Sequence, residues 1–176
     1  LLNYQYNGLD VLAPQEGQMS LVSLITSGLL DDFPDLNFVF TESGVSFIKP
    51  MVARLDAVFN NTDVDYESED AAPRFFYRKL TGGRRIVSEE EYKAKNKELP
   101  SHYFRKNLHF TIETEEPELA EAVQLFGASQ FLFATDYPHD DPGGRMKYKD
   151  VALLTANRDI SEADKTLLWH GNAERL

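Results

Sequence analysis

The chain contains no cysteine. That absence removes a disulfide framework, a thiolate metal site and a cysteine nucleophile together, so any metal must be held by histidine and carboxylate. It also fits a reducing compartment, and a cytoplasmic location is the expectation. Histidine is scarce as well, with four in the whole chain and none before His102. No apolar run approaches the ~18 to 20 residues of a membrane-spanning helix. Nothing near Leu1 has the charged, apolar, small-residue order of a signal peptide. Positive charge is in deficit: 18 Lys and Arg against 29 Asp and Glu give a net charge of −11. Such a surplus repels a phosphate backbone and argues against nucleic acid as a partner. The chain opens on Leu inside an already polar and aromatic segment, and so reads as beginning within a longer polypeptide or after processing.

What is present suits one domain-sized core: 176 residues with 42% apolar content. Met19 to Leu30 has a helical apolar pattern, stopped by Gly28 and the Asp31-Asp32-Phe33-Pro34 stretch. Leu36 to Thr41 has the length and β-branched, aromatic content of a buried parallel strand, and it ends in Glu42-Ser43-Gly44. Phe47, Met51, Leu55 and Phe59 at four-residue spacing predict a helix after Gly44. Residues 60–101 read as an excursion, first acidic, then basic around Phe75, Phe76 and Tyr77, with a helix start at Ser88. Leu108 to Glu113 alternates as a strand with His109, Thr111 and Glu113 on its polar side; Pro117 opens a helix closed by Gly127. Phe131 to Thr135 is a third strand, and the last helix starts near Ser161 with Asp164 in capping-box position.

This alternation predicts parallel strands with helices packed outside. Three strands cannot close a barrel, and as an open sheet they would leave two edges unpaired, so something else should complete it. In parallel α/β barrels chemistry collects at the C-terminal ends of the strands. Those ends here present Glu42, the run from His109 to Glu115, and the run from Asp136 to Asp141. Asp136 could ligate a divalent metal or act as a base. From composition alone, Asp136 to Gly144 is a turn rich in Asp, Pro and Gly.

Three motifs alter that reading: Asp35-Leu36-Asn37-Phe38-Val39-Phe40-Thr41-Glu42-Ser43-Gly44-Val45-Ser46-Phe47, then Leu132-Phe133-Ala134-Thr135-Asp136-Tyr137-Pro138-His139, then Gly171-Asn172-Ala173-Glu174-Arg175-Leu176. In this order they resemble the amidohydrolase-related family that includes aminocarboxymuconate semialdehyde decarboxylase. The resemblance implies that the whole chain is the C-terminal part of a single (β/α)₈ TIM barrel, carrying strands six to eight and an insertion at about residues 60–101. It implies that Asp136 binds a divalent metal, usually zinc, and handles protons of the metal-bound water. Glu42 stands where many members have a histidine that acts on substrate and one branch has Glu-Gly-Gly, so its role stays open among proton shuttle, support of another group and substrate contact. His139 matches a histidine of that branch and is expected to contact substrate or support the metal site, or else to be a loop histidine bonded to backbone. His109 reads as a satisfied interior histidine, and His102 and His170 as structural.

The family's His-x-His pair and its further metal-binding histidine precede the matched segment and have no counterpart here. The resemblance therefore implies a second chain or fragment carrying the N-terminal half of the barrel and those histidines. The leading expectation is a hydrolase using metal-activated water on a small-molecule substrate. A non-oxidative decarboxylase on the same scaffold, a non-catalytic half-barrel subunit, and an independent small α/β binding domain are the rivals.

Overall fold

The computed structural model describes residues 7–60, 96–135 and 149–176. Three short strands, β1 (Phe38–Phe40), β2 (Leu108–Thr111) and β3 (Phe131–Leu132), form one parallel sheet in that order. Around them run α1 (Asn7–Thr26), α2 (Leu29–Asp32), α3 (Ile48–Asn60), α4 (Pro100–Lys106), α5 (Leu119–Phe126), α6 (Lys149–Ala156) and α7 (Glu162–Thr166), the last continuing into a π-turn at Leu167–Gly171. The strand–helix alternation expected from the sequence is present. So is the Ser161 cap, whose hydroxyl accepts from the Asp164 N–H.

Side chains alternate across a strand, so paired positions share a face. Phe38 with Leu108, and Phe40 with Phe110, face the helices. Phe110 is the centre of that packing: it stacks on Phe40 and Phe104 with centroids 5.6 and 5.9 Å away and meets Phe47 edge-on at 6.1 Å. The contacts tie α3 and α4 to β1 and β2 through dispersion and excluded water. On the opposite face Val39 pairs with His109, and Val39 is 48% exposed. A β-branched residue in a sheet left half open to solvent marks a face that the described residues do not cover, as expected of an incomplete barrel.

Four differences from the sequence reading have local causes. α1 begins at Asn7 rather than Met19, with Pro14 inside it. α4 occupies the end of the supposed insertion, started by Pro100 in its first turn, where a missing N–H costs nothing. α6 fills what read as loop. β3 stops at Leu132 because the Phe133 N–H donates to Leu168 O at 3.0 Å, turning toward the C-terminal turn where Phe133 packs on Trp169. The Ser88 helix start and the aromatic-basic run lie outside the described residues.

The third motif is structural. Asn172 is fully buried, and its Nδ2 donates to Ala128 O and Phe131 O, both at 2.7 Å, fastening the last turn to the start of β3. Asn172→Ala would remove the side-chain donor from Phe131 O and one of the two donors to Ala128 O, which keeps the Phe131 N–H, and a loss of about 1 to 3 kcal/mol of stability is expected in denaturant unfolding. A change within ~0.5 kcal/mol, typical of surface substitutions, would show the bonds to be dispensable.

Candidate functional site

The C-terminal ends of β1 and β2 are laced together by the loops that follow them. Glu42, just past β1, adopts φ 55 and is the only non-glycine with positive φ among the described residues. Left-handed backbone costs an L-residue roughly 1 to 2 kcal/mol. Its N–H donates to Thr111 Oγ1 at 3.0 Å, which holds the end of β1 against the end of β2. The Glu42 side chain is exposed and makes no hydrogen bond among the described residues. An outlier of this kind at a strand end is a reasonable place to look for function.

Two further residues shape the loop. Gly44 has φ 66, and a Cβ there would lie 3.0 Å from both carboxylate oxygens of Glu116. Glu116 comes that close because it caps the approach to α3: its carboxylate accepts from the N–H groups of Val45 and Ser46 and from the Ser46 hydroxyl. The glycine of Glu-Ser-Gly is thus required by its backbone conformation and by its neighbour. From beneath, Gly17 of α1 packs so closely that a Cβ there would lie 2.7 Å from Ser43 Oγ.

The polar segment after β2 gathers carboxylates. Thr114 Oγ1 donates to Asp150 of α6 at 2.6 Å, and Glu118 accepts from Ser46 Oγ at 2.9 Å. Glu113 differs from these: its backbone carbonyl accepts from the Glu116 N–H at 3.1 Å, but its carboxyl group makes no hydrogen bond or ion pair among the described residues. Although the residue is exposed by area, its carboxyl sits where surrounding protein displaces water. That desolvation, followed by the negative charges of Glu116, Asp150, Glu115 and Glu42, pushes its pKa up to about 7. Sequence reasoning counted Glu113 only as one polar strand position. The Glu113-Thr114-Glu115-Glu116 run was the available signal, but not which of its acids would be occupied.

This shift has a pH consequence. Because the folded value of about 7 exceeds the ordinary 4.5, the fold prefers the protonated acid. That stabilisation is complete below about 4.5 and is lost as pH rises through about 7. Relative to Glu113→Gln, the unmodified protein should therefore lose thermal stability across that window. Parallel melting curves would show instead that Glu113 titrates normally.

Asp136 and His139 lie outside the described residues, so the structure tests neither as ligand or catalyst. Among the described residues no three His, Asp or Glu side chains are placed to hold a metal ion. The described strand-end acids do not make a metal site by themselves. His109 is the interior histidine expected, but it is satisfied only in part. It is buried and its Nε2 meets Asn37 Oδ1 at 3.4 Å near the other end of the sheet, while its Nδ1 has no partner among the described residues. Burial, then the charge of Arg175, holds its pKa below the ordinary value. His102 is exposed beside Tyr103, and His170 pairs at the surface with Glu174 through Nδ1 at 3.0 Å. No helix among the described residues is long and apolar enough to cross a membrane.

A family model described as amidohydrolase matches residues 11–176. The chain is 25% identical over 164 residues to gamma-resorcylate decarboxylase of Polaromonas sp. (strain JS666), covering 92% of this chain and 40% of that protein. Among solved structures it is similar to 5-carboxyvanillate decarboxylase from Sphingomonas paucimobilis, with TM-score 0.60, 24% identity, and coverage of 92% of this chain and 39% of that one. It is also similar to a dihydroxybenzoic acid decarboxylase from Polaromonas sp. JS666 with bound manganese and the inhibitor 2-nitroresorcinol, with TM-score 0.59, 23% identity and coverage of 92% and 40%. At these identities the structural likenesses show the fold. The chain spans about 40% of the length of the decarboxylases it matches.

Proposed function

Because the chain belongs to the amidohydrolase family, we propose that it supplies the sixth to eighth β/α units of a metal-dependent, non-oxidative decarboxylase barrel acting on a small aromatic acid. The observation that carries this reading is the similarity, over nine-tenths of the chain, to decarboxylases whose own names specify aromatic acids. Hydrolysis, the leading expectation from sequence, draws only on the breadth of the family. The remaining strands and the histidine ligands would come from a companion chain or from further polypeptide, since three open strands leave the inward face around Val39 uncovered.

In such a reaction the bond between ring carbon and carboxylate breaks, its electron pair stays on the ring, CO₂ leaves, and the ring carbon takes a proton. An acid that is still partly protonated near neutral pH is needed at that moment. Glu113, with its pKa of about 7, meets that need; Glu42 is proposed to pass the proton to the ring, and His139 to contact substrate. Asp136 is proposed as this chain's ligand to a divalent cation. Manganese is present in one relative, while zinc specifically rests on the resemblance alone. The acids among the described residues do not by themselves form a site for the ion.

The test is turnover of the native assembly on 2,6-dihydroxybenzoate and related ortho-hydroxybenzoates, with CO₂ and ring product measured together. Equal amounts of the two, lost on chelation and restored by manganese or zinc, are expected. An assembly that releases no CO₂ from any of these acids yet hydrolyses esters or amides would return the protein to the hydrolase reading. One that does neither, with its barrel complete, would be the non-catalytic subunit.

A further inference from the structure

At the end of the sheet away from the strand-end carboxylates lies a cavity of about 820 Å³. Its walls include Asn37, Lys106 and Gln130, which stand just before β1, β2 and β3, together with Arg105, Arg175 and His109. We infer that this cavity binds a small oxyanion, of the phosphate or carboxylate class, between Arg105, Lys106 and Arg175.

The first argument is charge. In a chain carrying a net −11, cations should find carboxylates easily, and elsewhere they do: Lys49 pairs with Glu121, and Lys165 with Glu162. Arg105, Lys106 and Arg175 converge on one cavity, yet none has an ion pair among the described residues. Glu98 is the one acidic side chain in the lining, and it pairs with none of them. The two guanidinium groups are held toward the cavity by weak contacts. Arg105 reaches Ser101 O at 3.3 Å and Leu125 O at 3.4 Å and lies over the Phe126 ring, while Arg175 reaches Asn172 Oδ1 at 3.1 Å and Ser129 O at 3.4 Å. A guanidinium has five N–H donors, so each retains several for a ligand. Three unneutralised cations around one hollow repel each other unless an anion sits among them.

The second argument is His109. This side chain is 4% exposed, lines the cavity, and has an unpartnered ring nitrogen. Arg175 is close enough for its charge to disfavour protonation of the ring. A bound anion would offset that field and make the imidazolium easier to form, so the ring should report occupancy. The titratable and charged groups that share the cavity with it are Arg175, Arg105, Lys106, His102 and Glu98; of these Arg175 acts on its titration, against the Ser129 backbone, which favours the protonated ring.

The place within the fold points to anchoring rather than chemistry. An oxyanion bridging α4 to Arg175 would clasp the segment after the π-turn to the base of β2, at the end of the sheet where conserved features of such barrels serve stability. This inference does not depend on the decarboxylase reading, because binding is measured without turnover.

The experiment is calorimetric titration of the native assembly with inorganic phosphate, with acetate as the carboxylate arm, alongside the thermal midpoint. Saturable binding of one equivalent and a rising midpoint are expected, and the tighter of the two ions identifies the class. Lys106→Gln, at an exposed residue with no side-chain hydrogen bond or ion pair among the described residues, should weaken binding about tenfold, the scale of one charge-assisted hydrogen bond. Arg175→Gln should weaken it at least as much, and Lys49→Gln, which removes a distant paired cation, should leave it unchanged. In NMR titrations the His109 pKa should rise when phosphate is present. Absence of saturable binding by either ion would overturn the inference. So would equal weakening by Lys49→Gln and Lys106→Gln, or phosphate binding that survives Lys106→Gln at full strength, because the ion would then be elsewhere.

Discussion

Asp136→Asn should reduce turnover by ~10³-fold or more while leaving the fold intact, within the range of losses seen when a positioned acid–base group is removed. The expectation rests on position. β3 is the last strand of the sheet, its pairing ends at Leu132, and Asp136 follows after Phe133-Ala134-Thr135. In sequence the carboxylate thus follows the C-terminal end of a parallel strand, and active sites of α/β barrels are built at such ends. Asn keeps nearly the same volume and removes the charge, so it separates a metal ligand or base from a mere turn residue. If Asp136 only shapes a turn, Asn should give near-normal kinetics with a stability change within ~0.5 kcal/mol. Metal content settles the matter independently. Asp136→Ala that retains both its ion and its turnover would end the metalloenzyme reading of this segment.

The second large effect concerns Glu42. Glu42→Gln should lower turnover ~10²-fold, the lower bound for loss of a positioned proton donor. The substitution leaves the φ 55 backbone and the N–H bond to Thr111 Oγ1 as they are, because neither involves the carboxyl group. A loss of rate would thus be chemical. The loss should be accompanied by a change in the pH–rate profile, which a purely structural residue would not produce. Glu42→Gly makes the complementary test. It suits the left-handed backbone better and should fold at least as well, yet it should be equally inactive. An unchanged rate in both variants would reduce Glu42 to a loop residue tolerated in a costly conformation.

The parts of the fold legible in sequence were those with strong periodicity. Phe47, Met51, Leu55 and Phe59 marked α3, the alternation around Phe110 marked β2, and the Ser161–Asp164 pair marked the start of α7, because each pattern reflects a repeat of the backbone itself. α4 and α6 were missed because both are short and carry mixed faces. His102, Arg105 and Lys106 give α4 little amphipathic signal, and tertiary contacts hold it instead, chiefly Phe104 against Phe110. Asn172 was legible as part of a motif but not as a clasp, since its two carbonyl partners are more than forty positions away.

Alone, the sequence determined the α/β class of the fold, the order of its strands and the family, and it raised the expectation that further polypeptide completes the sheet. It also confined possible metal chemistry to oxygen and imidazole donors. These properties follow from composition and from repeats within a few neighbouring residues. Only the tertiary structure decided which acids are engaged and which are left over. Glu116 and Asp150 are consumed by an α3 cap and a threonine hydroxyl, while the Glu113 carboxyl has no partner among the described residues and a pKa of about 7. It likewise decided that Arg105, Lys106 and Arg175 meet at one cavity although Arg175 lies seventy positions from Arg105. Desolvation and Coulomb forces depend on distances in space, and when the chain folds back across its own strands those distances bear little relation to separation along it.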